Sequence, residues 1–395
     1  MKFNFDQIVD RANTFSSKWD SVVQNELFKK DGLLPFWVAD MEFKTAPVII
    51  DALKKRVDHG IFGYSYRGEE YYDSIINWTK RRFNYDIKQE WILFTPGVVP
   101  AVNYVIQGFS QEGNGVIITE PVYYPFRDSI QANNRVVVNS QLVLKDDMYY
   151  IDFNDLKLKA EDPNNKILIL CSPHNPVSRV WTKEELTMLG DICYENGVII
   201  FSDEIHNDLI LGDNTHVMFP SLGEKYERMS ITATAPSKTF NLAGLYSSNL
   251  IVPNEEIRSK LEIILDRNSI GGQSPLSIEG VIAAYNYGDE WLDELLVYLS
   301  ENLIFIEDFL RKELPKAKLI NTQATYLAWI DFREYEKDGD VLEKLIIEKA
   351  GCALDGGKWF GDSGNGFMRF NFAAPRDFVK EGLERIANAI NEEYL

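Results

Sequence analysis

The chain has 395 residues, 45% of them hydrophobic and 26% charged, which suits two or so domains with a sizeable core and counts against a disordered chain. Its net charge of −19 repels phosphate backbones and anionic lipid, so neither nucleic acid nor a membrane is expected as a partner. Three cysteines, an odd number without a C-x-x-C pair, argue against a disulfide framework or a structural zinc site.

In chain order, the opening Met1-Lys2-Phe3-Asn4-Phe5-Asp6 lacks the apolar run of a signal peptide, and no stretch reaches the roughly 18 apolar residues of a spanning helix. A reducing cytoplasm is the expected compartment. Residues 1–45 carry no strand–helix repeat and are expected to pack on the C-terminal part. Trp91–Thr95 reads as a strand, and Val98–Phe109 as a helix after a Pro-Gly turn. Gly115–Thr119 and Lys166–Cys171 read as buried strands. The spacing predicts a helix over Thr182–Asn196, with Thr182 and Glu185 forming a capping box and Gly197 as its stop. Val198–Ser202 and Met229–Thr234 follow as strands. Continuous apolar strands separated by helices predict a mostly parallel sheet covered on both faces. Beyond about residue 290 the pattern changes: a long acidic helix over Trp291–Leu314, then one strand over Leu319–Phe332 and another over Met368–Phe372. The expected division is a large domain over 46–289 and a smaller α+β domain from 1–45 with 290–395.

Ligands collect at the C-terminal ends of strands in open α/β sheets. Three predicted strands end in chemically distinctive segments: Ser172-Pro173-His174-Asn175-Pro176, Asp203-Glu204-Ile205-His206 and Ala235-Pro236-Ser237-Lys238-Thr239-Phe240. The separations, 28 residues from Asn175 to Asp203 and 35 from Asp203 to Lys238, each accommodate a crossover, so the three side chains can converge on one crevice. Asp203 closes an apolar strand, where a carboxylate without a cationic partner is costly. A helix N-cap or a structural salt bridge is the competing explanation. Thr95-Pro96-Gly97-Val98-Val99-Pro100 joins a strand to a helix whose first amides lack internal partners and suit a phosphate; a plain tight turn would look the same. Arg369, in Met368-Arg369-Phe370-Asn371, is an inward arginine on an apolar strand, for which a bidentate carboxylate is the natural partner and an ordinary surface salt bridge the alternative.

With these motifs in this order, the chain resembles the fold-type-I pyridoxal-phosphate (PLP) enzymes of the aspartate aminotransferase superfamily, and within it the MalY/PatB-type carbon–sulfur β-lyases. The resemblance runs from Leu34-Pro35-Phe36-Trp37-Val38-Ala39-Asp40-Met41 to Met368-Arg369-Phe370-Asn371. It implies an α/β fold, a large domain with a mostly parallel seven-stranded sheet plus a smaller α+β domain, and a homodimer. It makes Lys238 the catalytic residue, holding PLP as a Schiff base and moving protons at Cα. Asp203 would face the protonated ring nitrogen and Asn175 the ring phenolate, unless Asn175 only makes a turn. Tyr123, in Glu120-Pro121-Val122-Tyr123, would stack on the ring or else fill the core. Gly97, Val98, Val99 and Ser237 would hold the phosphate. Many aminotransferases place an arginine eight residues after the lysine, where this chain has Tyr246, so the phosphate would lean on amides and hydroxyls. His206 stands where the wider superfamily carries tyrosine and the β-lyases a histidine; it touches cofactor or merely packs beside the strand. Glu204 belongs behind the site or on the surface. Tyr64, in Gly63-Tyr64-Ser65-Tyr66, would reach the cofactor or substrate of a neighbouring subunit. Arg369 would bind the α-carboxylate of a small sulfur-containing amino acid, with Ala39 also at the substrate. The implied reaction is α,β-elimination of cystathionine or cysteine to pyruvate, ammonia and a thiol. An aminotransferase, or a protein that keeps PLP only to stabilise a binding surface, would show the same residues.

Overall fold

The computed structural model, which describes residues 1–394, gathers the apolar runs of the middle of the chain into one seven-stranded sheet. The order across it is Ile92–Thr95, Ser248–Ile251, Ser230–Thr234, Ile199–Asp203, Asn165–Cys171, Gly115–Ile118 and Val136–Asn139. Ser248–Ile251 runs antiparallel to both neighbours, and the other pairings are parallel. Alternation along each strand sends side chains to two separate cores. Leu168, Leu170 and Ile200 pack with Leu186 and Leu189 of the helix Lys183–Glu195, whereas Ile167, Ile169, Phe201 and Ile231 pack with Val102 and Val105 of the helix Val98–Phe109. Cover on both faces is why these strands are apolar at successive positions.

The helix Lys183–Glu195 begins at the expected capping box: the Glu185 amide donates to Thr182 Oγ1 at 3.1 Å, and the Thr182 amide to Glu185 Oε2 at 2.8 Å. Gly197 follows it with φ +66°, a left-handed conformation that favours glycine.

A helix over Asp289–Glu313 leads away from the large sheet to a four-stranded antiparallel sheet, ordered Lys318–Leu319, Leu327–Asp331, Phe367–Asn371 and Asp355–Gly356. The segment 319–332 is thus not one strand. Lys318 pairs with Asp331 and Leu319 with Ile330, because the polar stretch 321–325 turns away to meet the large sheet's connections. Gln323 Oε1 there accepts from the Val180 amide and from Arg179 Nη1 at 3.0 and 2.8 Å.

The N-terminal residues thread through the same region. Leu34–Pro35 pairs in parallel with Cys352–Ala353, and Phe36 stacks on Phe370 with ring centroids 4.2 Å apart. Lys18, 2% exposed, bridges Asp40 at 3.3 Å and Glu42 at 2.7 Å, while Arg11 reaches Asp40 at 2.6 Å. Among the described residues no helix is long and apolar enough to cross a membrane, and Cys171, Cys193 and Cys352 are buried and unpaired.

Candidate active site

Six strands of the large sheet point their C-terminal ends the same way, and the connections leaving five of them, all but Val136–Asn139, line a cavity of about 340 Å³. Lys238 enters it from the short helix Pro236–Thr239, directly after the strand Ser230–Thr234. Its Nζ donates to the Ala39 carbonyl at 2.7 Å, and that carbonyl also accepts the Tyr326 hydroxyl at 2.9 Å. Burial pushes the ammonium down to about 8, against the pull of Asp40, so a usable fraction of neutral amine exists near neutral pH.

Asp203 is the last residue of its strand and is buried in the cavity wall. The Ile205 amide donates to its carboxylate at 3.1 Å. Burial outweighs that bond and lifts the carboxyl to about 7. Asn175 lies in the connection after Asn165–Cys171, and its Oδ1 accepts from Arg369 Nη1 at 3.0 Å. His206 is buried beside Tyr326, with ring centroids 6.1 Å apart, and its Nδ1 finds no hydrogen-bond partner among the described residues. Burial takes its imidazole well below the ordinary value, so it is neutral. Tyr123 lines the opposite side, its ring edge-on to Phe126 at 5.6 Å. At the far end Gly97 precedes the twelve-residue helix Val98–Phe109, whose first turn has no capping side chain. The amides there stand near the hydroxyls of Ser237, Ser247 and Ser248, which line the same cavity.

Of the residues singled out in the sequence, Ala39, Gly97, Val98, Val99, Tyr123, Asn175, Asp203, His206, Ser237 and Lys238 line the cavity. Two do not. Arg369 is buried behind it, touching the cavity wall through Asn175, and is already paired with Asp355. Tyr64 is fully exposed on an irregular segment of its own chain. Glu204 is wholly buried rather than at the surface, bound by His216 Nε2 at 2.8 Å and by the Phe219 amide at 2.9 Å. Ser247, Ser248, Tyr326 and Asp355 went unnoticed in the sequence. The two serines had one available signal, since they follow Tyr246, the position that lacks the expected arginine.

These groups fit pyridoxal phosphate on their own chemistry. An amine reaches the middle of the cavity, and a buried carboxylate at one end suits a cationic nitrogen. At the other end, uncapped amides and hydroxyls suit a dianion. The unpartnered His206 nitrogen and the Asn175 side chain lie between, beside an aromatic wall.

Residues 33–386 match the family described as aminotransferase class I and II. The chain is 41% identical to cystathionine beta-lyase PatB of Bacillus subtilis (strain 168), over 98% of this chain and 100% of that protein. It is 35% identical to protein MalY of Escherichia coli (strain K12), over 98% and 99%. Among solved structures it superposes on cystalysin from Treponema denticola, which contains a pyridoxal 5'-phosphate cofactor, with a TM-score of 0.96, 40% identity and 100% coverage of both chains. For the PLP-bound C-S lyase from Staphylococcus hominis the TM-score is 0.92 at 36% identity, over 99% and 98%. Since the match runs from the N-terminal strand pair to the last helix and is not confined to the cavity, the chain belongs to the aminotransferase class I and II family.

Proposed function

We propose that the protein is a PLP-dependent carbon–sulfur β-lyase that cleaves cystathionine or cysteine to pyruvate, ammonia and a thiol. The observation that carries this is Lys238, Asp203 and Asn175 in one cavity with a buried arginine behind it, in a chain aligned end to end with cystathionine beta-lyase PatB. Bound pyridoxal phosphate supplies an electron sink that lets the Cα–H bond of an amino acid break heterolytically.

The chain's own groups supply the rest. Asp203, as carboxylate, would balance the cationic ring nitrogen, and Asn175 would donate toward the ring oxygen. The amides of Val98 and Val99 after Gly97, with the hydroxyl of Ser237, would hold the phosphate. Tyr123 would cover one face of the ring, and His206 would lie beside it. The neutral Lys238 amine takes the Cα proton, with the Ala39 carbonyl fixing where that nitrogen rests when empty-handed. Arg369 would anchor the α-carboxylate, and the sulfur at Cβ departs as the thiolate. Burial of the cavity floor keeps bulk water from competing for the proton.

The substrate class, the division into 46–289 and 1–45 with 290–395, and a cytoplasmic location belong to the same proposal. The likeness to cystathionine beta-lyase PatB supports the first, the separate seven- and four-stranded sheets the second, and the unpaired cysteines the third. So does a homodimer, for which exposed Ile61, Phe62, Tyr64 and Tyr66 offer an apolar segment.

The test is pyruvate release from cystathionine and from cysteine with no keto-acid acceptor present. Pyruvate should appear with the wild type and vanish in Lys238→Ala, and borohydride should fix the cofactor covalently to Lys238 alone. Turnover only when a keto acid is supplied would make the protein an aminotransferase. Labelling of another lysine would remove Lys238 from the chemistry.

A further inference from the structure

Arg369 does not wait alone. In the small sheet it lies directly opposite Asp355, each the cross-strand partner of the other, and both are buried, 3% and 1% exposed. Arg369 Nη2 donates to Asp355 Oδ2 and to the Trp37 carbonyl at 2.8 Å, and Nη1 donates to Asn175 Oδ1 at 3.0 Å. The Phe360 ring covers the guanidinium, 4.9 Å from centroid to Cζ. Of the five N–H groups of a guanidinium, three are therefore taken. Nε has no partner among the described residues, and on the acid Asp355 Oδ1 has none either. A carboxylate arriving at Arg369 meets a cation whose charge is already balanced, and it must sit near a second anion.

We propose that Asp355 is a positioning residue that acts through Arg369: it aims the guanidinium while the site is empty and, as a competing anion, holds down the affinity for the α-carboxylate of the substrate. The proposal rests on Arg369 as the carboxylate anchor. Two features make Asp355 more than a strand-pinning residue. Its charge is held in a place where burial opposes it, the carboxyl being lifted to about 6 with Arg369 as its main counterweight. Asn175 and the Trp37 carbonyl, moreover, already fix the guanidinium plane from two other sides, so a neutral acceptor at 355 would suffice for orientation. The negative charge is then the distinctive contribution. Its effect on an incoming anion is repulsive, and in a buried site Coulomb repulsion is poorly screened.

The experiment measures inhibition of pyruvate release by propionate and by propionamide in the holoenzyme. Asp355→Asn keeps an oxygen facing Arg369 and removes the charge. It should tighten propionate by about tenfold and leave propionamide unchanged. Asp355→Ala removes the charge and the acceptor together, so it should recover only part of that gain. Asp355→Glu keeps the charge and should not show it. If Asp355→Asn does not fold with cofactor, Asp355→Ser gives the same comparison through a hydroxyl acceptor. Propionate binding no tighter in the neutral variants, with cofactor content intact, would overturn the role of Asp355. Arg369→Ala separates this from failure of the anchor. If that variant weakens propionate and propionamide equally, the carboxylate is held elsewhere and the anchor itself is wrong. If it weakens propionate alone while Asp355→Asn changes nothing, only the role of Asp355 falls.

Discussion

Asp203 is a burden to the empty protein and, in its proposed role, an asset to the loaded one. Its carboxyl is raised from the ordinary 3.8 to about 7 because burial outweighs its one amide donor. An acid whose pKa is higher when folded favours the folded state at low pH and loses that contribution as pH rises through about 7. Asp203→Asn does not titrate. In cofactor-free protein its stability advantage over the wild type should therefore grow from about pH 4 to 7 and then level off, at up to about 4 kcal/mol. Urea unfolding at pH 5 and pH 8 measures this, and an equal difference at both would show that ionisation is not the cause. With cofactor bound the order should reverse, the asparagine variant losing pyridoxal phosphate on dialysis, as absorbance would show. Asp203, Asn175 and Lys238 were legible in the sequence because each ends or follows an apolar strand, where a polar group is conspicuous. Asp355 was not, since its meaning comes from lying across a strand from Arg369. That register depends on the connection between residues 356 and 367, which has no periodic signal.

Elements were read best where local chemistry alone decides them. Val98–Phe109 has the predicted ends, and the Thr182–Glu185 box sits where its pattern places it. Thr182→Ala should cost about 1 kcal/mol of stability, the usual effect of losing an N-cap. Glu185→Ala should cost more, because Glu185 Oε1 also accepts from the buried Arg179 Nη2 at 2.6 Å. Urea midpoints at constant m-value test the ranking, and equal losses would mean that the Arg179 contact contributes nothing. Residues 319–332 read as one strand because apolar residues at both ends of the segment frame a short polar stretch, 321–325, that carries no glycine or proline to mark a bend. The bend is set by Gln323, which reaches Arg179 far away in the sequence, a tertiary contact that no local pattern carries.

At the scale of the molecule, the proposed homodimer, with the exposed segment around Tyr64 at its interface, predicts composite sites. Mixing Lys238→Ala with Tyr64→Ala subunits should restore part of the activity, through hybrid dimers that retain one complete site. A protein that sediments as a fully active monomer would rule this out. The mostly parallel character of the sheet followed from alternating strands and helices, whereas its strand order and the route of residues 1–45 did not, since order is set by tertiary pairing and residues 1–45 form few regular elements.

That route has a consequence for how the enzyme is made. The carbonyl that holds Lys238 belongs to Ala39, near the start of the chain. Its surroundings, however, are built from the other end. The Lys2 amide binds Glu294, Leu34–Pro35 pairs with Cys352–Ala353, and Asn371 Nδ2 donates to the Val38 and Asp40 carbonyls at 2.6 and 2.7 Å. On the ribosome all seven strands of the large sheet emerge while this early segment still lacks its partners. Domains fold as they are synthesised, but here residues 34–40 precede the whole large sheet in the chain and are seated only after it. A nascent chain stalled before residue 352 would carry Lys238, Asp203 and Asn175 while the segment bearing Ala39 lacks its strand partner, so the contact to Lys238 is secured only once residues 352–371 have emerged.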